Sequence, residues 1–140
     1  MSHKVLITDP LAQQGLDRLS AYADLAVDLR PGLSPEELVR QIPPYEGLII
    51  RSGTRVTKDA LAAATNLRVV GRAGIGVDNI DVEAATKRGI VVMNTPGGNN
   101  VTTAEHALSL LLALARNIPQ ANASLKAGQW EREKFTGSEI

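Results

Sequence analysis

The chain has 140 residues, 44% of them hydrophobic, and fifteen Lys+Arg balance fifteen Asp+Glu to a formal net charge of zero. That is enough chain for one well-buried domain, with the composition of a globular protein and not of a disordered one. A neutral chain lacks the basic surplus that nucleic acid or an anionic membrane selects; with no cysteine and two histidines, disulfides, thiolate zinc sites and cysteine nucleophiles are excluded and a His-rich metal site is not expected.

Met1-Ser2-His3-Lys4 leads directly into Val5-Leu6-Ile7, so no signal peptide is expected and the chain reads as cytoplasmic. Lys4–Thr8 is a short β-branched run stopped by Asp9-Pro10, the pattern of a buried parallel strand. Ala12–Tyr22 carries Leu16 and Leu19 at helical spacing, and Leu25–Leu29 is a second strand ended by Arg30-Pro31-Gly32. Ser34-Pro35-Glu36-Glu37 opens a helix with an N-cap serine, a proline at the first helical position and acids in the first turn. Pro43-Pro44 stops it near Ile42. Gly47–Ile50 is the third strand, followed by the polar turn Arg51-Ser52-Gly53-Thr54, and Thr57 caps a third helix. Leu67–Val70 is the fourth strand and runs into Gly71-Arg72-Ala73-Gly74-Ile75-Gly76. Asp81 caps a helix to Lys87, Gly89 closes it, and Ile90–Met93 is the fifth strand. Strands separated by helices of about ten residues imply an α/β fold with a doubly wound, all-parallel, five-stranded sheet, flavodoxin-like in its expected order 2-1-3-4-5.

Beyond Asn94–Asn100 the character changes. Thr102–Arg116 reads as one long helix with Leu108, Leu110, Leu111, Leu112 and Leu114 on all sides, and its apolar run Ala107–Ala115 is too short for the ~20 residues of a membrane span. A helix apolar all round must be buried all round, and the sheet offers no place for it. Pro119–Ala127 is expected to be helical, and Gly128–Ile140 is a polar tail bearing Trp130 and Phe135. This last part is expected to pack against something outside the chain.

Ligands of open parallel sheets bind at the carboxyl ends of strands, and three such ends are notable. Arg51-Ser52-Gly53-Thr54 combines a glycine for close approach with an arginine for an anion, although a solvated turn explains it as well. Gly71–Gly76 has the glycine density of an anion-binding backbone nest, but not the register of a dinucleotide fingerprint: from Gly74 the pattern requires glycine at position 79, which is Asn79. Asn94–Asn100 is a glycine-rich turn leading to Thr102-Thr103 at a helix start, either a ligand contact or a hinge. His106, beside Glu105 within that helix, has no nucleophile near it in sequence and reads as structural. Asp9 sits where phospho-receiver domains keep acids, but their acceptor position after the third strand is Arg51 here. An FMN site would need aromatic stacking, which 3% aromatic residues hardly supply.

The segments Val-Leu-Ile-Thr-Asp from Val5, Leu-Ile-Ile-Arg-Ser-Gly-Thr from Leu48, Val-Val-Gly-Arg-Ala-Gly-Ile-Gly-Val-Asp-Asn-Ile-Asp from Val69, Val-Met-Asn-Thr-Pro-Gly-Gly-Asn from Val92, Thr-Ala-Glu-His-Ala from Thr103 and Trp-Glu-Arg-Glu-Lys-Phe-Thr-Gly-Ser-Glu from Trp130 resemble, in order, the NAD-dependent D-2-hydroxyacid dehydrogenases. Gly-Arg-Ala-Gly and Trp-Glu-Arg favour the phosphoglycerate branch. The resemblance implies an oxidoreductase moving hydride from 3-phosphoglycerate to NAD, the first step towards serine. It places the substrate carboxylate at the amides of Ser52, Gly53, Gly74 and Ile75, and the phosphate at Arg51 and Arg72. Arg132 would reach a partner subunit's site, and Ile75, Asn100 and Thr103 would touch the nicotinamide side of NAD. The family's G-x-G-x-x-G loop and its catalytic Arg, Glu and His find no match here, so no catalytic residue is assigned and the isolated chain is expected to be catalytically incomplete and to bind NAD weakly. It further implies an N-terminal piece: a substrate-binding lobe at 1–98, then at 99–140 the hinge, first helix and dimerisation arm of an otherwise absent Rossmann domain. A homodimer or higher homo-oligomer through 102–140 is expected. The alternative is a self-standing flavodoxin-like binding or assembly module without catalysis.

Overall fold

The computed structural model describes residues 2–140. Five parallel strands form one sheet: β1 (His3–Ile7), β2 (Leu25–Leu29), β3 (Gly47–Ile50), β4 (Val69–Arg72) and β5 (Val91–Met93), in the order β2-β1-β3-β4-β5. Between them run α1 (Gln13–Ser20), α2 (Pro35–Gln41), α3 (Lys58–Ala63) and α4 (Val82–Lys87). The chain then continues through α5 (Asn100–Ala115), α6 (Ile118–Lys126) and a 3-10 turn at Arg132–Phe135. It divides into two compact units between Gly98 and Asn99.

Local signals account for the helix starts. The Ser34 hydroxyl accepts the Glu37 N–H at 3.2 Å while the Glu37 carboxylate accepts the Ser34 N–H at 2.8 Å, a reciprocal capping box with Pro35 at the first turn. Thr57 and Asp81 cap α3 and α4 through the amides of Ala60 and Ala84. Gly89 ends α4 at φ +69°, a conformation that favours glycine.

Register then builds the core. Leu6, Leu48, Val70 and Val92 are paired across four neighbouring strands and share one face. Against them pack Leu38 and Ile42 of the α2 region, Ala60, Leu61 and Ala64 around α3, and Ala85 of α4. Most of these side chains are fully buried, and each buried Leu, Ile or Val among them is worth about 1.5–3 kcal/mol of transfer free energy. Alternate residues Val5, Ile7, Ile49 and Val69 face the other way, where α1 packs along β2.

The expected ends of β4 need correction. Gly71 and Arg72 belong to the strand and not to the loop, because β3 offers partners for them: Ile49 pairs with Gly71 and Ile50 with Arg72. Leu67 lies before β4, buried behind a turn in which its N–H reaches Ala64 O. Thr8 likewise falls just beyond β1, although its N–H still bonds Ile49 O at 3.2 Å.

In the second unit the tail returns to the corner between α5 and α6, where Ser138 N–H bonds Ala115 O at 2.9 Å. Ser124 of α6 donates to Glu131 at 3.0 Å, and this bond, with the Lys134 ammonium beside it, holds the Glu131 carboxyl below its usual range. No residue of α5 or α6 is buried; Leu108, Leu110, Leu112 and Leu114 are 52–74% exposed. Among the described residues, no helix is long and apolar enough to cross a membrane.

Candidate functional site

The strand order reverses direction between β1 and β3, the position where open parallel sheets form a ligand crevice. At its floor lies Asp9, 6% exposed. Its Oδ2 accepts two backbone amides of the turn after β3, Arg51 N–H at 2.7 Å and Thr54 N–H at 3.1 Å. Thr54, also buried, donates its hydroxyl to Thr8 Oγ1 at 2.8 Å. From the β4–α4 loop, Asn79 Nδ2 donates to Arg51 O at 2.7 Å and to Thr54 O at 2.6 Å. Both polarities of Arg51 and of Thr54 are therefore taken. Among the described residues, the amides of Ser52 and Gly53 have no partner within the chain, and both residues are exposed.

The loop after β4 repeats this polarity. Gly74 O accepts Thr95 N–H at 2.9 Å, Ile75 O accepts Asn94 Nδ2 at 2.7 Å, and Gly76 O accepts Arg72 Nη1. The Gly74 N–H is spent on Arg72 O at 2.9 Å, whereas those of Ile75 and Gly76 have no partner among the described residues. Two neighbouring turns thus present amide hydrogens, with the carbonyls of Arg51, Thr54, Gly74, Ile75 and Gly76 tied back. Converging N–H dipoles of this kind favour an anion.

None of Gly53, Gly71, Gly74 and Gly76 has positive φ; Gly53, Gly74 and Gly76 serve close approach, whereas a Cβ at Gly71 would meet only Ile49 at 4.0 Å. A Cβ at Gly53 would run into Asp9 Oδ1, and one at Gly74 would stand 2.8 Å from Arg72 Nη1. Arg72 is the cationic floor of the second loop: its side chain is 11% exposed, Nη2 is 3.9 Å from Asp78 Oδ1, and the buried Nε has no partner among the described residues. Arg51 is exposed, with Nη1 3.4 Å from Pro10 O. Arg51, Ser52, Gly53, Gly74 and Ile75 accordingly lie on neighbouring turns at the carboxyl end of the sheet, with Arg72 the last residue of β4. Arg132 is in the 3-10 turn and Asn100 and Thr103 are in the first turn of α5, all three in the second unit and none of them buried.

Sequence patterning did not mark Asp9 or Asn79 as site residues, and it placed Gly76 in the glycine-rich loop without assigning its amide a contact. Asp9 carried one available signal, an acid next to a buried strand. Asn79 carried none, because its partners lie 25 and 28 residues earlier in the chain. The first unit's larger hollow, about 690 Å³, lies against the sheet face of Val5, Val69, Val91 and Met93 and is mostly apolar. It offers no such amides.

Residues 5–136 match the family model of the D-isomer specific 2-hydroxyacid dehydrogenase, catalytic domain. The D-3-phosphoglycerate dehydrogenase of Archaeoglobus fulgidus is 52% identical over 137 residues, 98% of this chain and 26% of that protein. A Thermus thermophilus protein of known crystal structure superposes with a TM-score of 0.84 at 36% identity, over 96% of this chain and 44% of that one. The NAD+-bound 3-phosphoglycerate dehydrogenase of Entamoeba histolytica superposes at 0.73 with 29% identity, over 83% of this chain and 40% of that one. The chain spans about a quarter of the length of the curated relatives it matches.

Proposed function

The chain belongs to the D-isomer specific 2-hydroxyacid dehydrogenase family, and on that premise we propose that it is the substrate-reading part of an NAD-dependent, cytoplasmic oxidoreductase acting on 3-phosphoglycerate, the reaction that opens serine synthesis. The observation that carries this is the pair of turns with free amides at Ser52, Gly53, Ile75 and Gly76 and with the carbonyls of Arg51, Thr54, Gly74, Ile75 and Gly76 tied back. A 2-hydroxy acid presents a planar carboxylate to such donors, and a phosphate on its far end suits a guanidinium, Arg51 or Arg72. Curated relatives at about half identity carrying the phosphoglycerate name support this substrate over an unphosphorylated hydroxy acid.

The residues present do not fit a dinucleotide by themselves. A pyrophosphate loop opens directly into a helix, whereas α4 begins at Val82, well past Gly76, and is only 6 residues long. Ile75 is 39% exposed and is proposed to lie along a nicotinamide; for Asn100 and Thr103, in the second unit, a cofactor contact is proposed separately. The chain alone therefore holds NAD weakly.

Hydroxy-acid oxidation also needs a base for the hydroxyl proton, and no buried carboxylate of the turns is available for it. Asp9 is committed to two backbone amides, and Asp78 is solvated, 87% exposed and 3.9 Å from Arg72 Nη2. His3 bonds Glu46 at the opposite end of the strands, and His106 lies within α5. The chain binds substrate without turning it over, and a larger assembly supplies the base, the dinucleotide cradle and, through α5, α6 and the tail with Arg132, a second subunit. Calorimetry with 3-phosphoglycerate and with glycerate, alongside an NADH assay on the purified chain, tests this. Phosphate-dependent binding without NADH is expected. Equal affinity for glycerate, or steady NADH production with longer enzyme excluded by mass, would contradict it.

A further inference from the structure

Asp9 and Asn79 touch no proposed substrate atom, yet both side chains end on the turn that is proposed to do so. We propose that Asp9 and Asn79 are positioning residues that make the Arg51–Thr54 turn an anion-reading donor pair, by tying off the N–H and the C=O of both Arg51 and Thr54 and leaving the Ser52 and Gly53 amides outward. This rests on the reading of that turn as the carboxylate site.

Three observations carry it. The four bonds, 2.6 to 3.1 Å long, use one Asp9 oxygen as double acceptor and one Asn79 nitrogen as double donor, so each end of the turn is held from both sides. The other Asp9 oxygen fills the space beneath Gly53 that a Cβ would take. Asn79 Oδ1 is buried without a partner among the described residues. An orphaned acceptor is unfavourable, and flipping the amide would set Oδ1 against two carbonyls, so the double donation fixes the orientation. Groups held in this way before the ligand arrives need little reorganisation to bind it.

Amide NMR of the whole chain tests the proposal in two steps. Without ligand, the Arg51 and Thr54 amides exchange slowly with solvent and those of Ser52 and Gly53 quickly. On titration with 3-phosphoglycerate, and separately with inorganic phosphate, the Ser52 and Gly53 resonances shift. Asp9→Asn keeps one oxygen for both amides and retains affinity within about threefold, whereas Asp9→Ala and Asn79→Asp weaken 3-phosphoglycerate by about tenfold or more. If Asp9→Ala fails to fold, Asn79→Asp decides alone, its fold checked at Leu48 and Val70. A folded Asp9→Ala or Asn79→Asp that titrates like the parent would overturn the positioning role. So would fast Arg51 and Thr54 exchange in a parent that binds normally, which leaves the anion reading standing. A parent with those amides protected, and Ser52 and Gly53 indifferent to 3-phosphoglycerate, would overturn the anion reading and the donor role with it.

Discussion

Gly53 shows how little room the site leaves at the scale of one residue. Its backbone is compatible with any side chain, but the space is filled by Asp9 Oδ1. Gly53→Ala is expected to lose about 1–3 kcal/mol by overpacking, read from the urea midpoint, with 3-phosphoglycerate binding weakened as well. Tyr45 illustrates a different strain on one group. Its hydroxyl donates to Asp28 at 2.6 Å, and burial first, then that bond, pushes its phenol above the ordinary value. A phenol raised in the folded state holds its proton where the unfolded chain has released it. Its stability contribution is therefore complete below the unfolded value of about 10 and fades as pH rises through the folded one. Urea midpoints of parent and Tyr45→Phe across alkaline pH should converge; a constant gap would show that Tyr45 does not drive the loss. Of the site residues, Arg51, Ser52 and Gly53 were legible because glycine and charge cluster at a strand end. Asn79 was not, because the order of the strands and not the local pattern brings it there.

Elements were legible where a cap marks them. Ser34, Thr57 and Asp81 each accept the amide three residues on, as their spacing predicts. Ser34→Ala removes half of a capping box and is expected to cost about 1 kcal/mol, measured by urea unfolding. The end of β4 was misplaced because pairing with β3 decides it, and pairing is not local. The tail depends on a feature equally hidden in sequence: a Cβ at Gly137 would collide with Ala115 O and stand 2.8 Å from Arg116 Cα. Backbone cannot yield as a flexible side chain can. Gly137→Ala should release the tail and abolish protection of the Ser138 amide, which bonds Ala115 O in the parent; continued protection would show that the corner accommodates a methyl group.

For the whole molecule, the contrast between the two units governs the expected behaviour. The first encloses a core in which Leu6, Leu48, Leu61 and Val70 are fully buried. The second leaves Leu108, Leu110, Leu114, Ile118 and Trp130 each more than half exposed, and holds a hollow of about 490 Å³ lined by Ile118, Leu125, Trp130 and Phe135. At ~25 cal/mol per Å², covering a few hundred Å² of such surface favours association by several kcal/mol before entropy losses. Sedimentation at tens of micromolar should show a dimer or larger species that Leu111→Glu with Leu114→Glu dissociates; a monomer under those conditions would contradict self-association through 102–140. The sequence made the need for a covering surface readable, because leucines lie all round α5, but not what covers it. The central claim remains that the turns after β3 and β4 read a phosphorylated hydroxy acid. Its most direct test is a crystal structure of the chain with 3-phosphoglycerate. The carboxylate is expected within hydrogen-bond distance of the Ser52, Gly53, Ile75 and Gly76 amides, with the phosphate against Arg51 or Arg72. A ligand seated instead on the apolar hollow of Val5, Val69 and Met93, or those amides bare in crystals saturated with it, would contradict the claim.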